Sequence, residues 1–324
     1  MSESQKMYGK VVLITGATDG IGKAIATGLA ALGATTVIVG RDRARGEAAV
    51  NEIKCKNGND RGKLILADLS SQQEIRRVVR EFSEQYGRLD VLINNVGASY
   101  GQRKETADGI EAMLALNHLC PFLLTNLLVP LLKSGAPSRI INMSSEGHRR
   151  AVEGIDFDDL QALNWRRPFP VYCRTKLANL LFTYEMARRL AGTRVTVNAV
   201  HPGMVETQLV RTFVAERCFS NSAIFSKAVA YVGTKIAKSI WKFNDLETAA
   251  APAIFMASSD EIEYVTGKYF SLDNRITDSS PASYDENAAR RLWQVSTALT
   301  GLEETAVTQV TPSETVLPRF KPQR

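Results

Sequence analysis

Tyr172 and Lys176 stand four residues apart in the run Tyr172-Cys173-Arg174-Thr175-Lys176, so on a helix they share one face. A phenol with an ordinary pKa of ~10 is a poor proton donor or acceptor at neutral pH. A neighbouring ammonium favours phenolate and draws that value down, which makes the pair a proton-transfer device. Taken alone, such a pair is usually an exposed helical couple. Its company gives it meaning: residues 15–22 read Thr-Gly-Ala-Thr-Asp-Gly-Ile-Gly, between the apolar run 11–14 and the helix-forming Lys23-Ala24-Ile25-Ala26. A buried strand, a tight glycine turn and a helix start set a helix N-terminus against a pyrophosphate. A dinucleotide site and a Tyr/Lys pair on one domain imply hydride chemistry.

The glycines follow the spacing Gly-x-x-x-Gly-x-Gly. Gly16 allows the turn, Gly20 lets backbone approach phosphate, and Gly22 lets the helix pack on the strand. A purely structural turn is the alternative. The second strand bears on the choice between NAD and NADP. An acid at its end would accept hydrogen bonds from the ribose 2′-hydroxyl, but this strand ends Val39-Gly40-Arg41-Asp42-Arg43, with Arg41 at the acid's position. A guanidinium there favours a 2′-phosphate through a bidentate contact, so NADP(H) is the expected cofactor. Asp68, just past the third strand and followed by Leu69, is placed to meet the adenine amino group or to cap the next helix. Asn94-Asn95-Val96-Gly97 ends the fourth strand, and the small Gly97 lets the cofactor lie close.

These residues need a scaffold, and the pattern supplies one. Strands are expected at 11–15, 36–40, 63–67, 91–95, 139–143, 194–200 and 268–271. Helices are expected at 22–32, 44–54, 110–132, 172–190 and 247–257, and another opens on the capping-box pattern Ser71-Gln72-Gln73-Glu74 and ends near Gly87. The expected fold is α/β: a single doubly wound Rossmann-type domain over residues 1–302, its parallel sheet of about seven strands flanked by helices on both faces. Segments 146–170 and 204–245 interrupt the rhythm as insertions near the carboxyl ends of strands, where ligands bind. Residues 303–324 are expected to be a disordered tail.

The chain has 324 residues, 44% hydrophobic and 23% charged, with a net charge of +6, which suits one globule that buries a sizeable core. The basic balance suits an anionic ligand or an acidic membrane surface, and no basic–aromatic run suggests nucleic acid. Four scattered cysteines without a CxxC pair argue for a reducing compartment and against a disulfide scaffold or zinc site. His118, His148 and His201 lack ligand spacing, so no metal is expected. The first ten residues are polar and the longest apolar stretches, such as 121–132, are short for a bilayer. A cytoplasmic location without an integral membrane segment is the expectation. The basic, apolar stretch 211–243 is read as a packed lid helix, with peripheral membrane contact as the alternative.

With Gly16-x-x-x-Gly20-x-Gly22, Asn94-Asn95-x-Gly97, Ser144-Ser145, Tyr172-x-x-x-Lys176 and Pro202-Gly203, the chain resembles the short-chain dehydrogenase/reductase superfamily over about residues 8–300. Thr106-Ala107-Asp108-Gly109, Asn117-His118, His201-Pro202-Gly203 and Ala289-Arg290-Arg291-Leu292-Trp293 look closer still to its retinol dehydrogenase-like branch. The resemblance implies a tetrad. Tyr172 would be the acid/base, Lys176 would lower its pKa and hold the nicotinamide ribose, Ser145 would hydrogen-bond the substrate oxygen, and Asn117 would anchor a water linking Lys176 to solvent. It also implies cofactor contacts from Thr18, Asp19 and Ile21 in the glycine turn, from Leu69, Asn95 and Val96, and from Pro202, Val205 and Thr207 at the nicotinamide end.

Two features depart from the common pattern. Val96 replaces the usual alanine, and Ser145 lies 27 residues before Tyr172. The intervening segment, with Phe157, Leu160, Trp165, Phe169 and Arg149, Arg150, Arg166 and Arg167, is expected to wall a substrate pocket. The expected function is NADP(H)-dependent interconversion of a carbonyl and an alcohol on a fairly large, apolar small molecule. Reduction of a carbon–carbon double bond and a non-catalytic nucleotide-binding role are the alternatives. The resemblance allows a homodimer or homotetramer, with helices 110–132 and 172–190 as the contact surface.

Overall fold

The computed structural model describes residues 5–165, 167–205 and 243–303. Its apolar runs form strands, the central ones buried on both faces. Val11–Thr15 (β1), Thr35–Gly40 (β2), Lys63–Leu66 (β3), Val91–Asn94 (β4), Ser138–Met143 (β5), Val195–Val200 (β6), Tyr269–Phe270 (β7) and Ile276–Thr277 (β8) make one sheet in the order β3-β2-β1-β4-β5-β6-β7-β8. All pairs are parallel except β7 with β8, the antiparallel eighth strand that the pattern did not predict.

Side chains alternate across the sheet. Leu13, Val37 and Leu92 face one core with Phe82, Phe122 and Phe182, while Val12, Ile14 and Ile38 face the other with Ile25, Leu29 and Ala253. The first core is covered by Gln72–Gln85 (α3), Cys120–Ser134 (α5) and Pro168–Arg189 (α6), and the second by Gly20–Ala31 (α1), Arg43–Asn57 (α2) and Leu246–Ser258 (α7). The strand order reverses between β1 and β4, so a crevice opens there at their carboxyl ends, the place where doubly wound sheets take ligands.

Several boundaries move, each for a local reason. Helix α1 starts at Gly20 because Asp19 caps it, accepting from the Gly20 amide at 2.7 Å. Helix α6 starts at Pro168, whose fixed φ suits a first turn. The capping box is half made: Ser71 accepts from the Glu74 amide at 3.4 Å, but the Glu74 carboxylate turns to Arg77. The stretch around 121–132 belongs to a longer helical run, Ala112–Ser134, of 23 residues, long and apolar enough to cross a membrane. It is almost wholly buried here, as the central helix of a folded domain. Within that run Ala112–Leu114 (α4) passes into a π-helical turn, Ala115–Leu119, before α5.

The C-terminal helix Glu286–Thr300 (α8) was not anticipated, although its Ala289–Trp293 run drew notice. Trp293 sits edge-on to Phe122 with centroids 4.9 Å apart and stacks on Phe182 at 6.1 Å, with the Arg189 guanidinium 4.0 Å from its ring. Ser296 meets His118 Nε2 at 2.8 Å, and Gln72 and Arg76 donate to the carbonyls of Leu299 and Thr300. Helix α8 thus packs against the α5–α6 pair expected to carry subunit contacts. Trp293→Ala leaves a void that the surrounding rings cannot close. It is expected to cost about 3–5 kcal/mol of stability, read as a lowered Tm by calorimetry.

The segment 146–170 is docked rather than loose. Ile155, Phe157 and Trp165 pack with Val171, Tyr172 and Leu177, and the Arg291 guanidinium lies 4.3 Å from the Phe157 ring. Of the insertion at 204–245, residues 206–242 lie outside the described residues, as does the tail from 304.

Candidate active site

The glycine turn follows β1 as expected. Gly16 and Gly20 adopt φ of +64° and +58°, a region that side chains disfavour. A Cβ at Gly22 would stand 2.5 Å from both the Gly16 carbonyl and the Asn95 amide nitrogen, so α1 can lie against the β4 end only without one. Asn95 clamps the crevice by donating to the carbonyls of Thr15 at 2.8 Å and Gly16 at 3.0 Å. The Thr15 hydroxyl accepts from the amides of Asn95 and Val96, each at 3.0 Å. Thr15 escaped the sequence reading because its hydroxyl works across strands.

At the end of β2, Thr18 fills the space above Gly40, where a Cβ would collide with its methyl. Arg41 is exposed there, while Asp42 is occupied as the cap of α2, accepting from the Arg45 amide at 3.0 Å. Asp68 holds the Ser70 amide and hydroxyl at 3.0 and 2.8 Å; the cap of α3 is Ser71, so that alternative for Asp68 falls away. The Tyr100 phenol is raised chiefly by burial, with lesser effects of the charges on Arg41, Asp68 and Glu111. Tyr100 was missed because nothing local distinguishes it. Leu69 is buried in the first core.

Over β4 and β5 the second cluster assembles. Tyr172 and Lys176 lie on one face of α6, both buried, with Lys176 Nζ 5.7 Å from the Tyr172 ring centre. The Ser145 hydroxyl lies beside the Tyr172 ring, both within 3.4 Å of where a Gly147 Cβ would stand, and draws the phenol down as a hydrogen-bonding neighbour. Ser144, by contrast, ties β5 to α6 through the Lys176 carbonyl at 3.3 Å. Lys176 Nζ donates to the Met143 carbonyl at 2.9 Å, and burial lowers its ammonium to about 8. Burial pushes the Tyr172 phenol above its ordinary range, and the Ser145 hydrogen bond only partly opposes this. The ammonium was expected to draw the phenol down. In this enclosed site desolvation governs the phenol instead, and the resting group is a neutral phenol that can donate.

Asn117, in the π turn, accepts from the Ala98 amide at 2.7 Å and donates to the Ala98 carbonyl at 2.9 Å and to Thr175 at 3.0 Å. Both amide hydrogens are spent on the protein, so this side chain fastens the 96–98 loop to α6. A Cβ at Gly97 would lie 3.5 Å from both Asn117 Oδ1 and Lys176 Nζ, which shows how closely the loop passes the cluster. Thr175, one residue before Lys176, was also missed; its spacing from Tyr172 hides a role set by a distant helix.

Pro202 follows β6, and Val205 pairs with Asn244 in an isolated bridge that brings the two ends of the insertion together. Gly203 has φ of +78°, and a Cβ there would meet Asn244 Nδ2. Thr207 lies outside the described residues. A dinucleotide fits what is present: a helix N-terminus behind a Cβ-free turn, a basic residue at the β2 end, and a small-residue loop beside a lysine.

A reversing parallel sheet with a glycine cradle at its switch point and a Ser–Tyr–Lys cluster beside it defines a dinucleotide-dependent oxidoreductase. The family model described as short chain dehydrogenase matches residues 10–157 and 160–217, and the chain belongs to this family, in its retinol dehydrogenase-like branch. It is 40% identical over 309 residues to retinol dehydrogenase 14 of Mus musculus, covering 91% of this chain and 87% of that one. It is 41% identical over 308 residues to retinol dehydrogenase 13 of Homo sapiens, covering 92% and 87%. Among solved structures, an uncharacterised protein of Mycobacterium paratuberculosis matches with a TM-score of 0.68 at 29% identity, covering 91% of this chain and 94% of that one. An RhlG/NADP active-site complex from Pseudomonas aeruginosa matches with a TM-score of 0.64 at 26% identity, covering 85% and 98%.

Proposed function

We propose that the protein is an NADP(H)-dependent oxidoreductase that interconverts a carbonyl and an alcohol on a fairly large, apolar small molecule, with Tyr172 as acid/base. The carrying observation is that the Ser145 hydroxyl and the Tyr172 ring come together, 3.4 and 3.3 Å from where a Gly147 Cβ would stand, beside a buried lysine. The retinol dehydrogenases among the relatives support a large apolar alcohol or aldehyde. Arg41 supports the phosphorylated cofactor, since Asp42 is committed to capping α2 and leaves the guanidinium at the ribose position.

The glycine turn, Arg41, Asp68, Asn95 and Lys176 would hold the cofactor, which when bound supplies or takes up the hydride. In the reducing direction the neutral Tyr172 phenol gives its proton to the carbonyl oxygen. The Ser145 hydroxyl donates to the same oxygen and then to the phenolate left behind. The Lys176 ammonium favours that phenolate, and the absence of bulk water around the buried pair strengthens the attraction. Oxidation runs the same transfers backwards.

The test is consumption of NADPH and NADH by the purified chain with aldehydes, ketones and enones graded by size, followed by product analysis. Alcohol products and a preference for NADPH support the reading; saturation of the enone double bond would favour the alternative reduction. Arg41→Asp is expected to lower the NADPH/NADH ratio of kcat/KM by about 10–100-fold, the worth of a charge-assisted bidentate contact. An unchanged ratio would defeat the NADP assignment.

A further inference from the structure

Beneath Ser145 lies a histidine that the proton transfer does not use. His148 is completely buried in the 3-10 turn Glu146–Arg150, with its ring edge-on to Tyr269 at 5.1 Å. Its Nδ1 is 2.6 Å from the Ser145 carbonyl oxygen, and its Nε2 is 3.0 Å from the amide nitrogen of Ser280. A carbonyl can only accept and a backbone amide can only donate. Nε2 must therefore be bare and Nδ1 must carry the hydrogen, so the two partners leave one neutral tautomer. Burial, which disfavours the imidazolium, works in the same direction. The Ser145 carbonyl also accepts from the His148 amide at 3.1 Å, and the Ser145 hydroxyl accepts from the Gly147 amide at 3.1 Å.

We infer that His148 is a positioning residue: it fixes the Ser145 main chain so that the serine hydroxyl meets Tyr172, and it ties that placement to the C-terminal segment through Ser280. The inference rests on the proposed role of Ser145. Ser280 opens the turn Pro281–Tyr284, which leads directly into α8. The turn Glu146–Arg150 is held elsewhere by the Glu146 carboxylate, which accepts from the Tyr269 hydroxyl at 2.8 Å and pairs with Arg149. Those contacts secure the turn away from the serine, whereas the His148 ring is the side chain that bonds the serine main chain. The segment past β8 thereby becomes part of what aims the active site, although it is distant from the serine in sequence.

The two ring nitrogens can be tested separately. In His148→Asn the side-chain amide can occupy the Nδ1 place and keep the bond to Ser145. His148→Gln reaches the Nε2 place, keeps Ser280 and abandons Ser145. Expected results are kcat within about threefold of the parent for His148→Asn and a drop of about 10–100-fold for His148→Gln, with the NADPH KM unchanged in both, since small misplacements in a site cost this much. In a Ser145→Ala background His148→Gln should lower kcat no further, because its effect passes through the serine.

Ser280→Pro provides a second route: Ser280 already sits at φ −69°, and since its buried hydroxyl makes no hydrogen bond among the described residues, the bond that proline gives up is the amide's to His148. It is expected to lower kcat about tenfold, and nitrogen-15 spectra should then show loss of the single Nδ1–H tautomer seen in the parent. A purely structural histidine would lower Tm equally in both His148 variants and leave kcat of the folded fraction intact. That result, or multiplicative effects in the Ser145→Ala background, would overturn the inference. The tautomer spectrum of the parent needs no turnover: a protonated Nε2 there refutes the positioning geometry, whereas an inactive parent with the stated tautomer refutes the proposed reaction instead.

Discussion

Tyr172→Phe is expected to lower kcat by about 10³-fold or more in either direction while the chain folds and still binds dinucleotide. The phenol is fully buried, and the Ser145 hydroxyl lies beside its ring. Phenylalanine keeps the ring that packs with Val171 and Leu177 but removes the proton that the proposed transfer carries to the substrate oxygen. The loss therefore belongs to kcat. Binding of NADPH, followed by quenching of protein fluorescence, should stay within about threefold, since no transition-state interaction contributes to it. Activity retained within tenfold would assign the proton to another group. Burial also raises the phenol, so the rate of carbonyl reduction should hold from neutral pH up to the range where Lys176 titrates near 8, and fall beyond it as the ammonium that supports the phenolate is lost.

Lys176→Met is expected to do two opposite things. Turnover should fall at least about 100-fold, because the phenolate formed in the transfer loses its ammonium. Stability at neutral pH should rise. The lysine ionises near 8 in the fold and at 10.5 in the open chain, so between these values the unfolded state holds more protons, and stability climbs with pH across that window. Below pH 8 the full cost of burying the charge is present, on the order of 3 kcal/mol. Methionine removes that cost and gives up a hydrogen bond to the Met143 carbonyl worth about 1 kcal/mol. The variant should therefore be more stable than the parent by about 2 kcal/mol at pH 7, with the gap closing toward pH 10. Urea unfolding at the two pH values checks it, and a variant less stable at both would show that the ammonium is not buried at a cost. An active-site lysine that weakens the fold is the usual exchange of stability for function.

The strands, the glycine turn, the Tyr172–Lys176 face and the Arg41 position were all legible in the chain because each is a short-range pattern. Strand runs need only neighbours two apart, and Tyr172 and Lys176 meet because a helix returns to the same face after four residues. Helix α8 was not read as an element, since the interest of Ala289–Trp293 lay in its likeness to a family rather than in its period. The fastening role of Asn117 was not read because its partners, Ala98 and Thr175, come from a loop and a helix whose approach no local rule states. The direction of the Tyr172 shift was misjudged for the same reason: proximity to Lys176 can be read from spacing, but desolvation depends on everything packed around the ring.

By itself the sequence determined which residues carry donors, acceptors and charge, the order of strands and helices, and the turn that only glycines can make. Tertiary structure alone decided which of those groups meet. Ser145 beside Tyr172, His148 between Ser145 and Ser280, and Trp293 against Phe122 join positions far apart in the chain, and their energies depend on exclusion of water, which arises only when the layers close.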